Sequence, residues 1–420
     1  MKARVVVAGG GFAGLETLFC LRYKLGNTVD LTLVSDKDYF LFKPNAIYIP
    51  FGEDPDKLRV GLEKPALKQG FDLVLGSIRG VDADRRKLLL ADRELSYDYL
   101  VLATGASTCV DEVPGLREHA INIGIPEQMV VLRDRLQRTV EAARRGERQR
   151  ILFLLPPNNK CTGPLYELAL MIDTWLGRMR DKVEITWTTH EGSYIQAFGP
   201  RYHTVVADEL EARGIEGHTG LIVEEVRPGK VVYRGGTTFS YDLLICFPPQ
   251  LARETFSALP HDSRGFIKVS PDDRRVKGQE RIFAVGDAAD FPIKHAFLAL
   301  LQADAAAEHL AADITRRKAD PSSRFEPMCV CVLEEMNKAT FVQEPLKYAR
   351  HPQLSTALPA GDDACGDSYK VGVSPLWRPG KKVPGYYLPW HFGHGEPFHR
   401  GFDWDGIDLG LKVLCGARAL

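Results

Sequence analysis

The chain has 420 residues, 45% hydrophobic and 26% charged, with a formal net charge of −1. That is ample for a large core in two or three domains, and the near-neutral balance argues against nucleic acid or an anionic lipid surface as a partner. Eight cysteines are too sparse for a secreted disulfide scaffold. No apolar stretch ahead of Val5 is long enough for a signal peptide, and no run of about 18 apolar residues reads as a spanning helix. The expected setting is cytoplasmic, or peripheral on the cytoplasmic face of a membrane.

Val5 to Ala8 is a short continuous apolar run, as in a buried parallel strand. Gly9-Gly10-Gly11-Phe12-Ala13-Gly14 follows, and an apolar helical pattern runs from Leu15 to Leu25. Gly9, Gly11 and Gly14 fit G-x-G-x-x-G between a strand and a helix. The first allows the turn, the second lets backbone approach a pyrophosphate, and the third lets helix and strand pack. Phe12 and Ala13 open the helix whose N-terminal N–H groups face the phosphates. A second strand, Leu31 to Val34, arrives where an acid normally takes the ribose hydroxyls. Ser35 and Asp36 are both candidates. The loop from Asp38 to Asn45 is aromatic and includes Lys43 and Pro44. It reads either as packing on the core or as a cover over the edge of a bound ring system.

Tyr97 to Leu102 is a strand that ends in Ala103-Thr104-Gly105, where small residues permit close backbone approach to a cofactor. Glu127 to Arg145 reads as a helix whose arginines, Arg133, Arg135, Arg138, Arg144 and Arg145, form a solvated face. Ile151 to Leu155 is again a buried strand and Leu165 to Leu176 again helical. The turn between them is Pro156-Pro157-Asn158-Asn159-Lys160-Cys161-Thr162-Gly163-Pro164. Two prolines remove N–H donors there and large side chains block backbone approach, so a second dinucleotide is poorly served. Arg281 to Val285 leads into Gly286-Asp287-Ala288, with Asp287 placed to accept hydrogen bonds from a ribityl chain or phosphate-side groups. The alanine-rich helix from Ala299 to Ile314 aims its positive end at the same place, where Lys294 adds charge or is an ordinary surface lysine.

Met328 to Val332 is a strand on which alternation puts Cys329 and Cys331 on one face. Cys-x-Cys without two further ligands is not a metal motif, and no metal site is assigned. The tail from Pro384 to Trp404 is dense in aromatics, with His391, His394 and His399 among them. Ile407, Leu411 and Leu414 fit a short final helix that docks on lipid. The expected fold is α/β. Two Rossmann-like, doubly wound, three-layer domains lie in tandem and an aromatic-rich segment follows as a candidate for docking at a membrane. One domain comprises residues 1–110 and 251–325, the second residues 111–250, and residues 326–420 form the C-terminal part.

The glycine loop, Ala103-Thr104-Gly105 and Gly286-Asp287-Ala288, in this order, resemble the FAD-binding flavoproteins with two dinucleotide-binding domains. Ser35-Asp36-x-x-Tyr39-Phe40-x-Phe42-x-Pro44, Lys160-Cys161-x-Gly163-Pro164-x-Tyr166-Glu167 and Pro248-Pro249 narrow this further. Over residues 1–345 the chain is similar to the sulfide:quinone oxidoreductase family, relatives of the flavocytochrome c sulfide dehydrogenases and type II NADH dehydrogenases. That resemblance implies that Cys161 pairs with a cysteine on the later strand, Cys329 as first choice or Cys331. It implies that hydrosulfide attacks the disulfide, that one cysteine carries the persulfide sulfur, and that two electrons pass through FAD to quinone. It places Glu167 as an acid/base near the sulfur and offers Lys160 to stabilise a thiolate.

The chain departs from the family in three places. Gln196-Ala197-Phe198-Gly199 leaves a relay-histidine position vacant. Residues 36–50 hold no cysteine, so FAD is expected to be noncovalent. The tail matches the family's amphipathic pair poorly. A type II NADH:quinone oxidoreductase is the alternative reading. An oligomer is compatible with both.

Overall fold

The computed structural model describes residues 2–348, 357–359, 370–399, 401 and 404–406. The expected final helix at Ile407, Leu411 and Leu414 lies outside these.

Strand β1 (Ala3–Ala8) leads through the glycine loop into α1 (Phe12–Leu25), then β2 (Val29–Ser35), β3 (Asp72–Leu75) and β4 (Tyr99–Leu102). Val5, Val6, Val7 and Ala8 are all buried because β1 lies between β2 and β4 in a sheet covered on both faces: Val5 and Val7 pack with α1 and the helix Ala296–Thr315, and Val6 and Ala8 with the opposite layer. Such a strand must be apolar on both faces, which is why its sequence does not alternate.

The chain then builds a second unit from β5 (Ala120–Asn122), α2 (Pro126–Arg144), β6 (Gln149–Leu155), α3 (Gly163–Leu176), β7 (Val183–Thr189), α4 (Gly199–Ala212), β8 (Glu216–His218) and β9 (Leu243–Cys246). It returns to the first with β10 (Ile282–Ala284) and α5 (Ala296–Thr315). The two parallel sheets run β10-β4-β1-β2-β3 and β5-β9-β6-β7-β8; four strands repeat one order (β4-β1-β2-β3 and β9-β6-β7-β8), while the fifth, at the edge, comes last in the chain in the first unit and first in the second. Each unit adds a three-stranded antiparallel layer, at residues 78–96 and 223–240. The fold is therefore α/β with two Rossmann-like, three-layer units in tandem. A two-stranded ribbon, Ala106–Thr108 against Gln250–Ala252, carries the chain between them.

Alanines of α5 (Ala299, Ala303, Ala306, Ala307) pack in one cluster with Leu15, Leu18 and Phe19 of α1, small residues allowing close approach. The arginines of α2 do not all form a solvated face. Arg133 is half-buried and donates to the carbonyls of Ile49 (2.8 Å) and Glu53 (2.7 Å), fastening the turn to α2.

The C-terminal part opens with β11 (Met328–Glu334) and β12 (Ala339–Tyr348), antiparallel, with β13 (Lys370–Ser374) and Ala357–Pro359 also on β12. Helix α6 (Arg378–Gly393) follows. Its buried side, Tyr387, Leu388, His391 and Phe392, lies on the first unit, where Phe392 meets Phe19 and Phe40. Val383, Tyr386 and Trp390 stay exposed. Among the described residues no helix is long and apolar enough to cross a membrane.

Candidate active site

The C-terminal ends of β1, β4 and β10 meet at the glycine loop, and local sterics explain the glycines. A Cβ on Gly9 (φ +130°) would lie 2.2 Å from the Ala103 oxygen, and one on Gly14 only 1.8 Å from the Gly9 oxygen. One on Gly11 would meet nothing within 4 Å, so the backbone at the start of α1 is open. A Cβ on Gly286 (φ +64°) would lie 2.8 Å from the Ala13 methyl, so its turn can approach α1 only as glycine. Ser35 ends β2, buried, and accepts from the Lys37 amide, whereas Asp36 is exposed and paired with Arg253 (3.0 Å). Phe12 packs on Phe40 and Phe42. The aromatic loop is thus core packing, and it delivers Lys43 and Pro44 to the rim. The buried hydroxyls of Thr104 and Thr162 have no hydrogen-bond partner among the described residues. An open helix N-terminus, glycine-fitted strand ends and two such hydroxyls suit FAD.

Lys43 is exposed and Asp287 half-buried at this edge of the cradle. Burial pushes the Asp287 carboxyl up, opposed by Lys294 and Lys43. Burial lowers the Lys43 amine, opposed by Asp287 and Cys161. Lys294 is not a surface lysine. It is buried, donates to the Ala289 carbonyl (2.5 Å) and stands 3.8 Å from the Phe266 ring centre; burial brings its pKa down to about 7 against the pull of Asp287. Lys160 is directed to the same ring, at 5.6 Å.

Cys161 sits on the β6–α3 turn. Its thiol is pushed up by burial and by Asp287 and Cys331, and brought down by Lys381 and Lys43. The cations at this sulfur are therefore Lys381 and Lys43 rather than Lys160, which faces Phe266. Cys331 lies over the first turn of α3, with its Sγ 3.8 Å from where a Cβ on Gly163 would be. Burial and Glu167 push its thiol up to about 12 against the pull of Lys381. Cys329 is fully buried in the core cluster, one pleat repeat or roughly 7 Å back along β11. The geometry thus favours Cys331 over Cys329 as the cysteine facing Cys161.

Glu167 projects from α3 and is buried. Its Oε1 accepts from the Glu334 amide (2.8 Å) and its Oε2 from Lys381 Nζ (3.1 Å). Burial raises its pKa, tempered by Lys381. Burial alone would lower Lys381, but Glu167 and Cys331 together hold it above its ordinary value. One turn away on α6, Arg378 grips buried Glu334 at 2.7 Å, and the Tyr48 hydroxyl lies 3.4 Å from the same carboxylate. Arg378 and Lys381 thus fix α6 to β11 and α3. Sequence reasoning missed both; their only signal was two cations spaced i, i+3 in a tail read for its aromatics. His295, close to Lys381, caps α5 by accepting from the Phe297 amide, and burial depresses its pKa to about 4.

In the second unit the turn that would carry a pyrophosphate has two of its donors committed: the amide of Lys160 goes to Gln250 Oε1 (3.1 Å) and that of Cys161 to Asn159 Oδ1 (2.8 Å). Glu191, just past β7 where a ribose-binding acid would stand, accepts instead from Tyr166 Oη (2.8 Å), Thr189 Oγ1 (3.1 Å) and the Gln196 amide (3.0 Å). Its burial lifts its pKa to about 7. Among the described residues Glu16, Cys20 and Asp304 bring ligand-type atoms within 4.8 Å of one another. They serve the tail: both Glu16 oxygens accept from the Phe398 amide and Asp304 pairs with His399 (2.5 Å).

Residues 3–151 match the family described as pyridine nucleotide-disulphide oxidoreductase. The chain is 24% identical to the mitochondrial sulfide:quinone oxidoreductase of Dictyostelium discoideum over 69% of its own length and 66% of that protein's. It is 30% identical to the sulfide-quinone reductase of Aquifex aeolicus over 56% of its length and 54% of that protein's, so the match spans between half and two thirds of these relatives. The demethylphylloquinone reductase of Synechocystis is 27% identical over 69% of this chain and 72% of that protein. The solved sulfide:quinone oxidoreductase of Aquifex aeolicus superposes with a TM-score of 0.83 at 21% identity, covering 98% of this chain and 96% of that one. The resemblance read from the sequence is borne out, and the likeness in fold extends through the C-terminal part.

Proposed function

We propose that this chain, resembling the sulfide:quinone oxidoreductases in sequence and fold, is an FAD-dependent enzyme that oxidises sulfide to polysulfide or sulfur and passes the electrons to a quinone. The observation that carries this reading is the cluster of Cys161, Cys331, Lys381 and Glu167 beside the glycine cradle. Noncovalently bound FAD, held by Gly9, Gly11, Gly14, Ala103, Thr104, Gly105, Gly286 and Asp287, would supply a two-electron acceptor there.

The chain's own residues account for the sulfur steps. With Cys161 and Cys331 as a disulfide, hydrosulfide attacks one sulfur; an S–S bond forms as the protein's S–S bond breaks, leaving a persulfide on one cysteine and a thiolate on the other. Lys381 faces that thiolate and favours its charge. Glu167, its pKa raised by burial, is suited to hold and release the proton of the incoming sulfur. The committed amides of Lys160 and Cys161 disfavour a nicotinamide cofactor at the second unit.

Anaerobic titration of the bound flavin tests this. Sulfide is expected to bleach it within seconds and a short-chain quinone to restore it, with NADH producing no bleaching. Bleaching by NADH and not by sulfide would instead establish the NADH:quinone reading, which the similarity to the type II NADH:quinone oxidoreductase of Staphylococcus epidermidis favours.

Quinone is membrane-held, so the reading includes peripheral docking on the cytoplasmic face. Val383, Tyr386 and Trp390 stand at i, i+3, i+7 on the outer side of α6, as an interfacial helix requires. Sedimentation with neutral phospholipid vesicles should capture most of the protein. Tyr386→Ser/Trp390→Ser should lower the partition constant by at least about tenfold; equal partition would remove α6 from the docking surface.

A further inference from the structure

We infer that Asn159, with Gln250 behind it, is the positioning residue for Cys161, holding the cysteine-bearing turn shut against the turn at residues 247–250. This rests on the sulfide-oxidising reading and says how the cysteine is kept in register. The two turns are rich in proline, Pro156 and Pro157 in one, Pro248 and Pro249 in the other. Prolines carry carbonyls but no N–H, so the contact between the turns has a surplus of acceptors. Buried acceptors left unpaired are costly.

Asn159 resolves that surplus. It is 8% exposed, and its Nδ2 donates to the carbonyls of both Phe247 (3.0 Å) and Pro248 (3.2 Å). Its Oδ1 accepts from the Cys161 amide at 2.8 Å. One carboxamide therefore ties the cysteine's backbone to the opposite turn through three hydrogen bonds. Gln250 repeats the device from the other side: Oε1 accepts from the Lys160 amide, and its own amide donates to the Asn158 carbonyl, each at 3.1 Å. Asn158 adopts a left-handed φ of +65°, so the turn is bent to present both neighbours inward. The Asn158 side chain reaches Glu112, which Arg264 pairs at 2.7 Å. The side chain must be an amide. An Asp at position 159 would set a charged acceptor against two carbonyls and lose both donors. The same clamp turns inward the two N–H groups that a glycine-rich turn would offer to a phosphate.

The test uses FAD-loaded Asn159→Ala and Gln250→Ala, the second removing one side-chain acceptor and so the gentler change. Three rates are read: flavin bleaching by sulfide, reoxidation by a short-chain quinone after dithionite reduction, and iodoacetamide labelling of Cys161 followed by peptide mass spectrometry. Bleaching should slow about tenfold in Asn159→Ala, within the penalty known for a misplaced reacting group. Labelling of Cys161 in the reduced protein should accelerate at least about fivefold as the turn opens. Reoxidation and FAD content should stay at wild-type values, which separates lost positioning from general damage, while Tm falls by a few degrees in Asn159→Ala as the buried carbonyls lose their donor. A wild-type protein that sulfide does not bleach would sink the sulfide reading, while the labelling comparison still decides the clamp. Labelling and bleaching both within about twofold of wild type in the two variants would overturn the inference, as would Asn159→Asp behaving like wild type.

Discussion

Cys161→Ser and Cys331→Ser should each lower sulfide-driven flavin reduction by at least about 10³-fold, the loss expected when a covalent nucleophile or its partner is removed. Cys329→Ser should remain within a few-fold of wild type. The contrast follows from placement on one strand. Both β11 cysteines fall on one face by alternation, yet Cys331 sits over Gly163 at the start of α3 and its charge is felt at Cys161, whereas Cys329 is fully buried in the core. Non-reducing peptide mapping of the air-oxidised protein gives the independent check, with a 161–331 crosslink expected. A 161–329 crosslink, or full activity in Cys331→Ser, would reassign the partner.

Lys381→Met should cut the same rate at neutral pH by about 10²-fold, the usual scale for losing a charge that assists proton or thiolate chemistry. The direction of its pH dependence follows from the site. Lys381 lowers the Cys331 thiol, which burial still holds up at about 12, and it stabilises ionised Glu167. Removing the cation raises both pKa values, so the alkaline rise of the rate moves to higher pH. Lys381→Arg keeps the charge and should leave the profile in place. Because breaking a buried ion pair also costs stability, the decisive reading is the position of the pH profile, not the rate at one pH. Superimposable profiles for wild type and Lys381→Met would remove Lys381 from the sulfur chemistry.

Much of this architecture is legible from local sequence, for identifiable reasons. Gly14 is demanded by the Gly9 carbonyl within the same strand–turn–helix unit, and Gly9 by the Ala103 carbonyl at the end of the neighbouring strand; a Cβ at either would collide with backbone. Such constraints leave a motif. Apolar runs such as Val5 to Ala8 and Ile151 to Leu155 mark strands covered on both faces. The Rossmann-like repeat and the cysteine in place of a second glycine turn were readable in the same way. The charge assignments were not. Lys160 neighbours Cys161 in sequence but lies over Phe266, and Lys294 is buried rather than solvated. Both are long, flexible side chains whose direction depends on what packs around them.

The amino-acid order was thus enough for the two-unit α/β fold, the glycine cradle and the presence of Cys161, since each depends on contacts within a few residues or on a repeating polarity pattern. Tertiary packing chose which distant groups meet. Lys381 reaches Glu167 across 214 positions, the Glu334 amide reaches it across 167, and Asn159 spans 88 to the Phe247 carbonyl. No periodicity encodes such pairings. They arise because α6 folds back on β11 and α3, and because two proline-rich turns need donors that neither backbone supplies.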